Sequence, residues 1–291
     1  MASPRIVYVN GQYLPEAEAK ISVFDRGFLF ADGVYEVSSV LDGKLIDNAA
    51  HMARLRRSLA ALSIPSPAGD DEILAVQQEI IARNALREGI VYLQISRGAA
   101  DRDFTFPESP SPSLVVFPQA KSLIDAPAAR RGISIAFAPD LRWKRRDIKT
   151  VGLLPASWAK TQAAAQGADD VWMVEKGEDG IAYVTEGSSN NAYIVTGDGR
   201  IVTRQLGDEI LHGITRKAVL SLAEEAGLPV EQRPFTPEEA RAAREAFITS
   251  ASSFVMPVVS IDGAPVGDGR PGPIAARLRA LYIETARAAA V

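Results

Sequence analysis

The residues whose types suit chemistry fall into a few short stretches. In "RWKRRDIKTVGLLP", residues 142–155, a basic run gives way to apolar residues around Lys149, so a lysine is carried from a charged loop toward an apolar helix start. A solvated lysine in an exposed loop is the ordinary outcome of such a run. A lysine kept neutral by burial is instead an amine nucleophile for carbonyl groups. "YVTEGSSNNAYIV" puts Glu186 at a strand end before small polar residues, which reads either as a polar hairpin loop or as a carboxylate held against a cationic ring nitrogen. In "LHGITRKAVL", Gly213 precedes a helix whose first residues, Ile214 and Thr215, expose unpaired backbone N–H groups, an anion site in the making. "AHMARLRRSL" supplies three arginines. Arg57 points away from the apolar stripe of its helix, while Arg54 and Arg56 lie on opposite flanks, and helical geometry does not choose between them.

These residues need elements to hold them. "RIVYVNGQYLP" predicts a hairpin about Asn10-Gly11, and "GVYEVSSVLDGKLI" a second about Asp42-Gly43. "DNAAHMARLRRSLAAL" predicts a helix with Asp47 as N-cap and a stripe of Met52, Leu55, Leu59 and Leu62. "DDEILAVQQEIIARNAL" predicts another, with Ile73, Val76, Ile80 and Ile81 on one side. "GIVYLQIS" and "SLVVFP" follow as strands. Hairpins, then helices, then strands make an α+β pattern rather than a repeating βαβ one. Loss of periodicity places a linker at residues 119–131, between a smaller domain at 1–118 and a larger one at 132–291 that carries Lys149. The second part continues as a strand, "ISIAFAP", an Ala-rich helix, four strands from "DVWMVE" to "RIVTR", a helix closed by Gly227, the β-rich stretch "AFITSASSFVMPVVSIDG" and a last amphipathic helix.

Composition excludes several classes. The 291 residues are 47% hydrophobic with net charge −4, enough for two cores but without the basic footprint of a nucleic-acid binder. There is no cysteine, and the two histidines, His51 and His212, lack ligand spacing, so no metal site is expected. The first residues run into a hairpin without a signal-peptide core, and no stretch is long enough to span a membrane, so a cytoplasmic protein is expected. "GDGRPG", residues 267–272, matches a dinucleotide fingerprint, but too little chain follows for the βαβ unit, and it reads as a turn.

In combination these stretches are similar to one family. "DIKTVGLLP", "VTEGSSNN", "HGITR" and "ITSASS", in this order, together with "VNGQYLP", "DRGFLFADGVYEV" and "VVSIDG", make the chain resemble the fold-type IV pyridoxal-phosphate enzymes. "ADGVYE" and "RGAADRDFTFP" tilt the likeness toward the D-amino acid aminotransferases. The resemblance implies a two-domain α+β enzyme that uses pyridoxal 5'-phosphate to transfer the amino group of a D-amino acid to an α-keto acid such as 2-oxoglutarate or pyruvate. It implies that Lys149 is the Schiff-base lysine and proton carrier, that Glu186 pairs with the pyridinium nitrogen, and that Arg54 rather than Arg56 binds the phosphate. Ile214, Thr215 and Ser250 match further phosphate contacts, and Leu211 a residue packed on the cofactor ring. Tyr35 and Arg102 match the residues that bind the substrate carboxylate, with Arg102 reaching the neighbouring subunit's site in a homodimer.

Two positions depart from the pattern. Phe104 stands where the D-amino acid enzymes carry histidine, and Ala251 where a hydroxyl residue helps to hold the phosphate. The first loosens the requirement for a carboxylate, which keeps an (R)-selective amine transaminase in view. An aminodeoxychorismate lyase, which shares the cofactor residues, is the other alternative.

Overall fold

The computed structural model describes residues 4–291, which divide into two compact units. The first comprises the chain up to Ser122 together with Ile148–Gly152 and Ala286–Val291. Its elements are β1 (Ile6–Val9), β2 (Gln12–Pro15), α1 (Arg26–Phe30), β3 (Gly33–Leu41), β4 (Lys44–Leu45), α2 (Asn48–Ala61), α3 (Asp70–Arg83), β5 (Glu88–Ser96) and β6 (Ser113–Ala120). The six strands form one antiparallel sheet in the order β2-β1-β6-β5-β3-β4. Both hairpin turns form where expected. Asn10 and Gly11 (φ 45° and 92°), and Asp42 and Gly43 (φ 54° and 81°), all take the left-handed conformation that suits a two-residue hairpin loop.

Alternate residues of β5 and β6 are buried, and α2 and α3 cover that face. Met52, Leu55 and Leu59 of α2 meet Ile73, Val76, Ile80 and Ile81 of α3 and Val91, Leu93 and Ile95 of β5 in one core. Asp47 does occupy the N-cap position of α2, but in a left-handed conformation in which its side chain caps no helix amide. Its carbonyl accepts the N–H groups of Ala50 and His51 instead.

The second unit contains Leu123–Asp147 and Leu153–Thr285. Its elements are α4 (Pro127–Arg131), β7 (Ile133–Pro139), α5 (Leu154–Ala165), β8 (Asp170–Lys176), β9 (Ala182–Gly187), β10 (Asn191–Val195), β11 (Ile201–Thr203), α6 (Ile214–Glu225), β12 (Val230–Gln232), α7 (Pro237–Arg241), β13 (Glu245–Ser250), β14 (Phe254–Ile261), β15 (Ala264–Pro265) and α8 (Pro273–Ala288), the last running on into Ala286–Val291 of the first unit. The nine strands form a mixed sheet in the order β12-β11-β10-β13-β14-β7-β8-β9, with β15 beside β14. Trp172 and Phe235 meet edge to face inside it, both fully buried. The C-terminus of α6 closes as Gly227 requires: at φ 70° it lets Leu228 N–H reach Ala223 O and its own N–H reach Glu224 O, the paired bonds of a Schellman motif.

The division differs from the single break read from composition. Residues 119–131 contain the end of β6 and the whole of α4, and the boundary falls at Ser122. Lys149 belongs to the first unit, not to the C-terminal one, and it is not at a helix start. Its segment is extended and pairs with β3: Tyr35 N–H donates to Lys149 O (3.0 Å) and Val151 N–H to Gly33 O (3.1 Å). Pairing with a strand more than a hundred residues away leaves no trace in local periodicity.

Candidate active site

In the first unit, β3 sends consecutive side chains to opposite faces of the sheet, and both matter. Tyr35 lies half-buried on the face away from α2 and stacks on Tyr92 (5.5 Å between centroids), which stacks on Phe117 (4.7 Å). The Lys149 Nζ sits 4.2 Å from the centroid of the Tyr35 ring. Among the described residues it enters no ion pair, whereas Lys144 is paired with Glu175 and Lys160 with Asp170 (3.0 Å). Of these three lysines, Lys149 alone has its amine beside an aromatic ring rather than a carboxylate.

Glu36 points the other way and is fully buried. Arg54 grips it with Nε on Oε1 (2.8 Å) and Nη2 on Oε2 (2.7 Å), and His51 Nδ1 lies 2.8 Å from Oε2. Burial opposes ionisation of Glu36, but the charge of Arg54 and the hydrogen bonds from Arg54 and His51 outweigh it, holding the carboxyl down at about 2. The structure thus separates the two arginines that helical geometry left open: Arg54 is buried, while Arg56 is exposed and paired with Asp70. Lys149 N–H donates to Ser58 Oγ (3.3 Å), one turn beyond Arg54 on the same side of α2, so the backbone of Lys149 is tied to the helix that carries Arg54.

The second unit builds its part around Glu186, buried at the end of β9. Arg142 Nη1 donates to Oε1 (2.6 Å), Asn191 Nδ2 to Oε2 (2.9 Å), and Leu211 N–H is shared between both oxygens (3.1 Å each). Burial pushes the Glu186 carboxyl up, with Arg142 and the Leu211 N–H pulling against it. Asn191 also donates to Leu211 O (3.0 Å), tying the loop before α6 to the carboxylate. This arrangement needs glycine at 213, because a Cβ there would lie 2.1 Å from Asn191 Oδ1. Opposite Asn191 in the ladder stands Thr249, and Ser250 follows it at the end of β13, its hydroxyl 2.7 Å from that of Ser253.

Two helix starts in this unit are treated differently. At α8, in the stretch that mimics a dinucleotide fingerprint, the buried Glu245 accepts the N–H groups of Ile274 (3.0 Å) and Ala275 (3.1 Å), so the chain supplies its own anion. At α6 the N-cap is Gly213, which has no side chain with which to cap the first turn. The start at Ile214 and Thr215 can therefore take an anion from outside.

These findings meet those from known proteins. Residues 33–261 match the family model for class IV amino-transferases. The chain is 37% identical over 275 residues to a D-alanine aminotransferase of Staphylococcus haemolyticus, covering 94% of this chain and 95% of the relative. It is 36% identical over 270 residues to one of Bacillus licheniformis, covering 92% of each. This chain is a class IV aminotransferase. Its fold is also that of branched-chain amino acid aminotransferases: the Escherichia coli enzyme aligns with a TM-score of 0.89 at 23% identity, over 98% of this chain and 95% of that one. The enzyme from T.th., solved with pyridoxamine 5'-phosphate, aligns with a TM-score of 0.87 at 26% identity, over 98% and 95%.

Class IV aminotransferases work with pyridoxal phosphate, and so does this one. Its residues fit that group. Lys149 has an amine without an ionic partner among the described residues, and α6 starts at a glycine that has no side chain to cap it. Glu186 is a buried carboxylate whose one arginine is shared, since Arg142 gives Nη2 and Nε to Asp140 (2.7 and 3.0 Å) and only Nη1 to Glu186. Such a carboxylate gains from a second cation, which a protonated ring nitrogen provides.

The sequence reading passed over Arg142 and Asn191. The first was hidden in a basic run taken as an exposed loop, yet Arg142 is largely enclosed and Arg146 is buried, on Asp140 (3.4 Å) and Glu175 (2.7 Å). An aspartate two residues before Arg142 is the one local signal that its charge is spoken for. Arg102 and Phe104 lie on an exposed loop of the first unit, where Phe30 and Phe104 meet edge to face at 5.5 Å and the Arg102 guanidinium is 5.4 and 5.5 Å from their centroids.

Proposed function

We propose that the enzyme transfers the amino group of D-amino acids to an α-keto acid, 2-oxoglutarate or pyruvate, with Lys149 as the catalytic residue. The observation that carries this is the Lys149 amine, half-buried over Tyr35 with no ionic partner among the described residues, in a chain whose relatives are D-alanine aminotransferases. Pyridoxal phosphate, when bound, supplies an aldehyde that links to amines and a ring that takes up the electron pair left by a departing Cα proton. Lys149 Nζ would hold the cofactor through its aldehyde and, once free, would be the base for the proton on the donor Cα. Glu186 holds the ring nitrogen in its protonated form, and Arg142 and Asn191 hold Glu186. Arg54, the N–H groups of Ile214 and Thr215, and Ser250 are each proposed as phosphate contacts, and Ala251 would contribute backbone only. Leu211 packs against the ring.

Tyr35 and Arg102 are proposed to receive the donor carboxylate, with Phe104 beside them. For Arg102 this is proposed to occur in a homodimer, where the arginine serves the partner's site. Exposed apolar residues of the first unit, among them Val23 (68%), Phe28 (69%) and Phe104 (79%), are what such an assembly would cover. Phe104 also favours a second reading, an (R)-selective amine transaminase, because an apolar ring replaces a hydrogen-bond donor at the carboxylate. No helix among the described residues is long and apolar enough to cross a membrane, which accords with the cytoplasmic location proposed here.

Reduction of the purified enzyme with borohydride, followed by peptide mapping, should leave the cofactor on Lys149. A label on Lys144 or Lys160, or none, overturns the assignment. Turnover with a panel of D- and L-amino acids and (R)-amines then separates the two readings.

A further inference from the structure

The loop that carries Arg102 and Phe104, between β5 and β6, is held by a buried frame that the chemistry above does not use. Its two ends are tied to one carboxylate: Asp25 Oδ2 accepts Ser96 Oγ (2.9 Å) from the end of β5 and Ser113 Oγ (2.7 Å) from the start of β6. Asp25 is itself buried and fixed by Gly27 N–H (2.8 Å). Next to it, Arg26 and Arg97, both almost fully buried, share Asp32: Arg26 Nε at 2.7 Å, and Arg97 Nε and Nη2 at 2.8 and 3.1 Å. Arg97 is further locked by donating to Ser63 O (3.0 Å) and Leu62 O (2.9 Å), and its guanidinium lies 3.6 Å from the centroid of the Phe106 ring, at the far side of the loop.

Arg26 spans from this frame to the middle of the loop. Its Nη1 donates to the carbonyl of Asp103 (2.6 Å), the residue between Arg102 and Phe104. The same guanidinium lies 4.6 Å from the centroid of the Phe30 ring, which is also near Arg102 and Phe104. The Asp103 side chain closes the turn by accepting Thr105 N–H and Oγ (2.8 Å each), which makes residues 103–105 rigid but does not attach them to the sheet. Among the described residues, their attachment by hydrogen bonds rests on the Arg26 contact.

We infer that Arg26 is a positioning residue for substrate selection: by holding the Asp103 carbonyl it fixes where Arg102 and Phe104 are presented, and thereby sets the affinity for carboxylate-bearing donors. This rests on the proposed D-amino acid transaminase activity. A planar guanidinium can serve Asp32 and the carbonyl together, which the ammonium of lysine, a point charge on a flexible stem, cannot do in the same geometry.

The test uses the cofactor-loaded enzyme and two variants, Arg26→Met and Arg26→Lys. Three quantities are read: kcat and KM for D-alanine, thermal midpoint, and hydrogen exchange of residues 101–106 by mass spectrometry. Losing one charge-assisted contact at the loop should raise KM for D-alanine about tenfold in both variants while kcat changes by less than about twofold. Exchange at 101–106 should quicken by roughly tenfold in both, with α2 unaffected. Arg26→Lys, which keeps a charge for Asp32, should recover most of any loss in thermal midpoint but not the KM. A fall in kcat as large as the rise in KM, unchanged exchange at 101–106, or recovery of KM together with stability in Arg26→Lys would each overturn the assignment by showing a purely structural role. If the wild-type enzyme transaminates no D-amino acid, the functional reading fails and the substrate role of Arg26 fails with it. The exchange data would still tell that case apart from a misassigned frame.

Discussion

Glu36 and Glu186 are both sealed from water, one in each unit, yet their surroundings treat the charge in opposite ways. Glu36 receives two bonds from Arg54 and one from His51, and its carboxyl is held far below the usual range. Glu186 receives one N–H from Arg142, which spends its other two bonds on Asp140, and burial lifts its carboxyl. A buried carboxylate held at both oxygens by one arginine is balanced and rigid. One that receives a single N–H from its arginine is less fully balanced, which suits the role proposed for Glu186 against a protonated ring nitrogen.

The comparison can be broken at Glu36 first. Glu36→Gln removes the carboxylate that Arg54 and His51 bind and, in the cofactor-free protein, should destabilise it by about 3–5 kcal/mol. Denaturant unfolding would show it, and a loss below about 1 kcal/mol would mean that Arg54 is balanced elsewhere.

Acid supplies the next largest effect. The folded carboxyl of Glu36, at about 2 against an ordinary value of 4.5, lies lower than in the unfolded chain. Its contribution is therefore complete above about pH 4.5 and is lost as pH falls from there toward 2, a total of about 3 kcal/mol. The raised carboxyl of Glu186 has the opposite sign, favouring the folded state less as pH rises. Unfolding midpoints of the wild type and Glu36→Gln should converge between pH 4.5 and 3, and parallel curves would contradict the assignment.

The smallest expected change in stability sharpens the contrast. Glu186→Gln leaves Arg142 on Asp140 and an amide oxygen for Leu211 N–H, so stability should shift by no more than about 1 kcal/mol. Single-turnover transfer from D-alanine should nonetheless slow by roughly ten- to a hundredfold, because an amide supports a protonated ring nitrogen poorly. Wild-type rates with a large loss of stability would make Glu186 a structural carboxylate like Glu36.

What could be read from the sequence was what neighbours along the chain decide. The Asn10-Gly11 and Asp42-Gly43 turns, the Met52/Leu55/Leu59 stripe, and the Gly227 closure of α6 depend on φ preferences and periodicity within one element, and each appears in the fold. For Lys149, Glu186 and the α6 start, residue types left an ordinary reading and a chemical one both open, and only the likeness to a family supplied the roles proposed for them. The tertiary structure decided what depends on partners far along the chain. It buried Arg54 and exposed Arg56, although the two are equivalent on a helix wheel, because only Arg54 faces Glu36 across eighteen residues. It drew the Lys149 segment onto β3, against the division expected from composition, through hydrogen bonds between backbones more than a hundred residues apart. It turned Arg142 from an apparent surface charge into the partner of Glu186, forty-four residues away. In each case a charge or an N–H group takes its place from whichever partner the fold brings within about 3 Å, and that partner has no fixed distance along the sequence.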